Sequence, residues 1–355
     1  MRLLQLDAVR AIAIGLVIVE HYGGTLGRKQ IPIGPGSLGV GLFFCLSGFL
    51  ITSILLSEIN GKDSKSSVWL NFYIRRALRL FPPFWAWIAI LTLLKIEPIA
   101  SSWPWHASYL TNVWVAMGNP INDFWSLSVE EQFYIFWPFV ITFVPRKQLM
   151  LMVFILTLVF GTVFKVGMQL ADVDSNLIQA LLFSNLTELG VGSMLGIMCF
   201  RDGRSFNFKW FTPEMERKFL IAAIVGFVIA VGGWYLWGTK GAYRYYFNDF
   251  VCTWMYVWLI MKASTGFTGV PGLFFNNPVV QYVGKISYGL YLTHNFVPDI
   301  LEKYAPPMPH LLFGVVSLAC SLAITVLSWT YFERPILRLK DTLRLRADAR
   351  AGVST

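Results

Sequence analysis

The stretch LLQLDAVRAIAIGLVIVEHYGG, residues 3–24, decides how this chain is read. It is long and apolar enough for a membrane helix, yet it carries Asp7, Arg10 and His21. At about 100° per residue these three fall within roughly 60° of one another, so one polar stripe runs along one helix face. His21 lies about 16 Å beyond Arg10 along that face, from eleven rises of ~1.5 Å. Ionisable groups are costly inside a bilayer and mark sites that bind or react. A plainer reading stays open, in which Asp7 and Arg10 pair at i,i+3 near one interface and His21 merely ends the helix at the other. The stretch does not read as a cleavable signal, because Asp7 and Arg10 interrupt the apolar run and no A-x-A exit follows.

The composition extends that reading to the whole chain. Of 355 residues, 55% are hydrophobic, 16% aromatic and only 14% charged, in repeated apolar runs. This defines an all-α, polytopic helical bundle in a membrane, not a soluble domain. Ten spans are expected, near 5–24, 37–57, 80–96, 127–145, 149–168, 177–199, 219–237, 247–263, 280–297 and 311–332. Pro82-Pro83 is expected to start or kink the third. The net charge of +9 does not mark a nucleic-acid binder, because the basic residues sit in alternate loops. About 20 Lys and Arg fall on the side of the N-terminus and about five on the other, which places both termini in the cytoplasm. His21 then lies near the outer end of the first helix, and Arg75, Arg76 and Arg79 lie at the cytoplasmic face. The membrane domain is read as residues 1–338, and 339–355 as a basic, disordered cytoplasmic tail.

Smaller features fit the same bundle. Gly36, Gly39, Gly41 and Gly48 stand at helix-packing spacing and read as close helix contacts. Cys45, Cys199, Cys252 and Cys320 lie in apolar runs without metal or disulfide spacing and read as small core residues. The outer segment 97–126 is rich in interfacial aromatics and suits the outer membrane surface; its part 103–114, with Trp103, Trp105, Tyr109 and Trp114, suits part of an acceptor site. Lys165 is expected to snorkel outward. His106 and His310 fall in loops and receive no role.

Four constellations carry chemistry. The first is the stripe on helix 1, where His21 has the side chain suited to proton transfer near neutrality. The second is NFYIRRALRLFPPF, residues 71–84. Its Arg75, Arg76 and Arg79 span about 100° of a helix and offer forked donors to phosphates, although cytoplasmic anchoring explains them too. The third is NDFWSLSVEEQFYIFWP, residues 122–138, with Asp123, Glu130 and Glu131 where an outer loop enters a helix. Ser126 or Ser128 is expected to cap that helix with a glutamate in its first turn, and one glutamate is placed to orient His21 or to bind hydroxyls. The fourth is KISYGLYLTHNF, residues 285–296, where Tyr288, Tyr291 and Asn295 form a lining suited to a sugar and His294, near the outer end of the ninth helix, reads by itself as a satisfied interfacial histidine. No metal-ligand motif, P-loop, dinucleotide fingerprint or nucleophile elbow occurs in the sequence.

Taken in order, six stretches resemble the membrane-bound acyltransferase-3 family: LDAVRAIAIGLVIVEH (6–21), GVGLFFCLSGFLIT (39–52), FYIRRALRLFP (72–82), FWSLSVEEQFYIFWP (124–138), SYGLYLTH (287–294) and YFERP (331–335). The resemblance covers essentially residues 3–338. It implies transfer of an acyl group, most often acetyl, to an extracytoplasmic carbohydrate such as a surface polysaccharide, or to a small glycoside such as a macrolide. It implies that His21 is catalytic, with Arg10 the arginine that precedes it, and that Arg76 and Arg79 form the R-x-x-R pair associated with acyl-CoA, with Arg75 beside them. Glu130 and Glu131 match the glutamates of the family's S-x-E-E-Q-F element. Some relatives carry a further hydrolase-like domain outside the membrane; none is read here, so a second transfer step would need a partner.

The expected reaction uses cytoplasmic acyl-CoA, most simply acetyl-CoA, as co-substrate, with no permanently bound cofactor and no metal. Catalysis is assigned to His21, Arg10 and Glu130, donor binding to Arg75, Arg76 and Arg79, and acceptor binding to Glu131, Trp125, Tyr291 and His294. The chain is expected to be an integral, multi-pass protein of the cytoplasmic membrane, with the lipid bilayer, the donor and a carbohydrate or glycoside as partners. A secondary transporter or flippase for a glycan is the competing class, since intramembrane charge suits it as well, but no inverted repeat is found.

Overall fold

The computed structural model describes residues 4–23, 34–59, 64–200, 210–237 and 248–338. The tail 339–355 and the loop residues Arg28, Lys29, Lys62, Arg201, Arg204, Lys209, Lys240 and Arg244 lie outside the described residues. Among the described residues every regular element is helical. Among the described residues, four helices are long and apolar enough to cross a membrane: Pro35–Ile59, Arg146–Leu170, Leu182–Cys199 and His310–Arg338. Two of them leave rows of large apolar side chains exposed, including Leu151, Phe154, Val159 and Val163 on one, and Leu311, Leu312, Val315 and Leu327 on the other. Such faces need a non-aqueous neighbour.

The chain gathers into two compact units. One comprises Met1–Lys62 with Tyr109–Ser287, the other Asp63–Ser108 with Tyr288–Thr355. The first is built on α2 (Pro35–Ile59), which packs against α1 (Gln5–Gly23), α6 (Phe124–Phe143), α10 (Leu186–Cys199) and α12 (Asn248–Thr265). Glycine makes these approaches possible. A Cβ on Gly48 would run into the Leu189 carbonyl, and one on Gly192 into the Cys45 carbonyl, so α2 and α10 touch backbone to backbone. Gly39 meets the Ala13 carbonyl of α1, Gly41 the Tyr256 ring of α12, and Gly36 the Glu20 side chain, as their spacing implies. The apolar core between them holds Val9 and Ala13, Leu42, Leu46 and Phe49, Leu195, Ile260 and Met261. None of the four cysteines is in a disulfide, and three of them are buried. Trp137 of α6 is fully buried and gives its indole N–H to Thr52 Oγ1 at 2.8 Å.

Lys165 departs from expectation. It does not snorkel outward; it is 7% exposed, and its ammonium lies 3.6 Å from Glu188 of α10. The helix Arg146–Leu170 passes through a π-helical stretch, Ile155–Phe160, before α8 (Gly161–Leu170). Thr157 in that stretch presses on Gly190. Close packing there lets α8 bring Lys165 to a carboxylate inside the unit, and a buried ammonium needs such a partner.

The expected sixth segment, 177–199, divides into α9 (Ser175–Ala180), a 3-10 turn (Leu182–Asn185) and α10. Asp174 caps α9 through Asn176 N, and Asn185 Nδ2 donates to the Gln179 and Leu181 carbonyls, which fixes the break. The ninth segment, 280–297, is not one helix either. It divides into α14 (Pro278–Lys285), α15 (Ser287–Thr293) and α16 (Phe296–Tyr304). Pro298 has no N–H to return to the His294 carbonyl, so α15 ends there.

The second unit contains α3 (Lys65–Leu93), α4 (Ile99–Ala107), α15, α16 and α17 (His310–Ser328), which ends in a π turn, Trp329–Glu333. Pro82 and Pro83 neither start nor end α3. The helix begins at Lys65, where Ser64 accepts from Ser67 N, and runs through both prolines. They deny an N–H to the Leu78 and Arg79 carbonyls. The Tyr288 hydroxyl donates to the next carbonyl, Leu80, at 2.9 Å and braces the opened turn. At its far end the Lys303 ammonium and the Tyr304 hydroxyl both donate to the Leu94 carbonyl. Within 97–126, α4 and α5 (Thr111–Ala116) are helical. His106 lies not in a loop but buried in α4. Ser102 Oγ gives its one proton to the Pro98 carbonyl, so it accepts from His106 Nε2–H at 2.9 Å. Burial pushes this imidazole down to about 4 and keeps it neutral.

Candidate functional site

In the first unit, α1 ends in the turn that carries His21, and α6 begins directly after Asp123. His21 Nε2 stands 3.8 Å from Asp123 Oδ1. Asp123 occupies the N-cap position of α6, yet its side chain makes no capping bond and is turned to the imidazole instead. The entry to α6 is held by Asn122, whose Oδ1 accepts from Phe124 N at 3.1 Å. Neither Ser126 nor Ser128 caps the helix, contrary to expectation. Ser126 Oγ donates to the Asp123 carbonyl; Ser128 Oγ donates to the Phe124 carbonyl and accepts from Thr111 N. With Asp123 at N-cap, Glu130 and Glu131 fall beyond the first turn. A carboxylate facing Nε2 favours the tautomer protonated there and puts the basic lone pair on Nδ1.

The other candidates of this unit have the following partners. Arg10 is joined to Asp7 by an ion pair at the opposite end of α1, as the plainer reading has it. Glu20, not singled out in the sequence, reaches the first turn of α2, where its Oε2 accepts from Gly36 N at 3.4 Å. Glu130 is not directed at His21; it accepts from Ser47 Oγ of α2 and from the Tyr134 hydroxyl. Glu131 is buried in α6, and Trp125 lies edge-on to Phe44 with centroids 6.2 Å apart. Asp123 is therefore the carboxylate beside His21, where the sequence pointed to a glutamate. The available signal was its position before an apolar helix that another side chain already caps.

In the second unit the three arginines ride on α3, half-buried. Arg75 Nε donates to the Asn71 carbonyl at 3.0 Å, and the Arg76 guanidinium stands 5.9 Å from the centre of the Phe72 ring. Arg79 lies within electrostatic reach of Glu333. His294 is fully buried at the end of α15, and its Nδ1–H donates to the Tyr291 carbonyl at 2.8 Å, which leaves Nε2 as the acceptor nitrogen. The Tyr291 ring lies 5.4 Å from the imidazole.

The apolar helices mark a membrane protein, and a histidine–carboxylate pair stands where α1 ends and α6 begins. The family model for the acyltransferase domain, acyltransferase-3, matches residues 3–331, and the chain belongs to that family. It is similar to the peptidoglycan O-acetyltransferase OatA of Listeria monocytogenes, 24% identical over 367 residues, covering 94% of this chain and 55% of that protein. It is also similar to the O-acetyltransferase OatA of Staphylococcus aureus, 24% identical over 379 residues, covering 93% of this chain and 56% of that one. The chain spans about half the length of the curated relatives it matches. No solved structure matches it significantly.

Proposed function

We propose that this protein is a membrane O-acyltransferase that moves an acyl group, most simply acetyl, from cytoplasmic acyl-CoA to a hydroxyl of an extracytoplasmic carbohydrate. The observation that carries the reading is the His21–Asp123 pair, 3.8 Å apart, in a chain of the acyltransferase-3 family. His21 takes the proton of the acceptor hydroxyl as its oxygen attacks the thioester carbon. The carbon–sulfur bond breaks, and the imidazolium returns the proton to the departing thiolate. Asp123 orients the ring and stabilises the imidazolium between those two moments. Arg75, Arg76 and Arg79 hold the phosphates of the donor through their forked N–H groups. Arg10, Glu130, Glu131, Trp125, Tyr291 and His294 remain candidates for positioning the donor and acceptor. The charge asymmetry of the loops supports a multi-pass placement in the cytoplasmic membrane with both termini inside. Replacing His21 by Ala tests the assignment: acetyl transfer from labelled acetyl-CoA to surface glycan should fall by about 10²- to 10⁴-fold, the usual contribution of a general base. A variant that transfers at the wild-type rate refutes it.

A further inference from the structure

Glu130 is not directed at His21, yet it stands on the face of α6 that carries the partner of His21. Asp123 itself has helical dihedrals, and at about 100° per residue the positions seven and eleven residues further on lie within roughly 20° of it. Those positions are Glu130 and Tyr134, about 10 and 16 Å along the helix from Asp123. Both side chains reach the same residue of α2. Glu130 Oε1 accepts from Ser47 Oγ and from the Tyr134 hydroxyl, which stands 3.0 Å from Ser47 Oγ as well. One turn further, the Trp137 indole N–H donates to Thr52 Oγ1, also on α2. In a bilayer, apolar contact between helices gains little over contact with lipid, so such interhelical hydrogen bonds fix which residues face one another.

The same helix, α2, holds the end of α1. Glu20, the residue before His21, accepts from Gly36 N in the first turn of α2, where a Cβ on Gly36 would stand 3.0 Å from the Glu20 Cβ. Both α2 and α6 therefore start at the end where His21 meets Asp123, and they run the same way. Ser47 lies eleven residues beyond Gly36 and Tyr134 eleven beyond Asp123, so the cluster closes at one level of the two helices, about 16 Å from that end. His21 and Asp123 thus belong to helices that are fastened separately to α2, one through Glu20 and Gly36, the other through Glu130, Tyr134 and Ser47. We propose that Glu130 is a positioning residue that, with Ser47 and Tyr134, fixes the height and rotation of α6 on α2 and so holds Asp123 beside His21. The proposal rests on the reading of His21 and Asp123 as the catalytic pair.

The test uses the full chain in nanodiscs and measures kcat and KM for acetyl transfer from labelled acetyl-CoA to extracted surface glycan. The variants are Glu130→Leu, Glu130→Gln, Asp123→Asn and the double variant Asp123→Asn/Glu130→Leu. Glu130→Leu should lower kcat by about tenfold and leave the KM for acetyl-CoA within about twofold, because a misplaced catalytic group slows the chemical step. Glu130→Gln should recover most of that loss, since its side-chain carbonyl accepts from the same two hydroxyls. The double variant should be no slower than Asp123→Asn alone, because Glu130 acts through Asp123. A slowed Asp123→Asn beside a wild-type kcat in Glu130→Leu overturns the proposal. So does a Glu130→Gln as slow as Glu130→Leu, which would give the charge a part in the chemistry, and so do losses that multiply in the double variant. A wild-type rate in Asp123→Asn instead overturns the reading of the catalytic pair beneath it. If Glu130→Leu does not fold, Tyr134→Phe takes its place: removing one donor should lower kcat about two- to threefold, and an unchanged kcat overturns the proposal.

Discussion

At His21 the decisive neighbour is Asp123, 3.8 Å from the imidazole and turned away from the helix end that an aspartate at that position ordinarily caps. A general base gains from such a partner because the charge it acquires is met at once. Asp123→Asn keeps the size and loses the charge, so acetyl transfer should fall by roughly 10- to 100-fold, less than for His21→Ala, with donor affinity unchanged. Equal rates in Asp123→Asn and wild type would remove Asp123 from the mechanism. His106 gives a prediction of a different kind. Its pKa is held at about 4 in the fold against an ordinary value near 6.5, so below about pH 6.5 the unfolded chain binds the proton that the fold refuses. Its contribution to stability is whole above that pH and is lost as the pH falls toward about 4, on the order of 3 kcal/mol in total. Thermal melting between pH 7 and pH 4.5 should therefore drop more steeply for wild type than for His106→Asn; parallel curves contradict the buried neutral imidazole.

At the scale of elements, the joints of the first unit rest on backbone contact and on one buried ion pair. Gly48→Val should abolish correct packing of α2 on α10, at a cost above the ~1–3 kcal/mol of ordinary overpacking, because the opposing atom is a carbonyl that has nowhere to move. Gly15→Ala is the control: nothing lies within 4 Å of its Cβ, and helix propensity should make the change neutral or stabilising. Yield of monodisperse protein and melting temperature read out both. Lys165→Met should destabilise by about 3–5 kcal/mol by leaving Glu188 buried without its ammonium, and Lys165→Met/Glu188→Leu should recover most of that loss. A double variant no more stable than Lys165→Met would contradict the pairing. The sequence showed the glycines of α2 plainly, because spacing alone reveals a packing face. It did not show Lys165 turned inward, since the register there follows from a π-helical stretch that hydropathy does not register. Nor did it show α3 running through Pro82-Pro83 or the break at 286. The first depends on a cap at Ser64 and on the Tyr288 hydroxyl bonded to the Leu80 carbonyl.

At the scale of the molecule, the all-helical class and the apolar character were legible from composition, and the family from six ordered motifs, because both are properties of the chain summed over its length. The helix 1 histidine stood out as a candidate because a titratable group in an apolar run is costly unless it binds or reacts. Its partner was not. Asp123 and His21 are 102 residues apart in sequence and meet only through the packing of the first unit. The exposed apolar faces of Arg146–Leu170 and α17 agree with a chain whose solvent is lipid over much of its surface. The claim on which the rest depends is transfer chemistry at His21, and its most direct test follows labelled acetyl from acetyl-CoA in nanodiscs containing the full chain, with extracted surface glycans as acceptors. Wild type should consume donor and label a glycan, and His21→Ala should do neither while still binding coenzyme A. Transfer that survives in His21→Ala, or a well-folded wild type that moves glycan across the membrane without consuming donor, would contradict the account and favour a transporter.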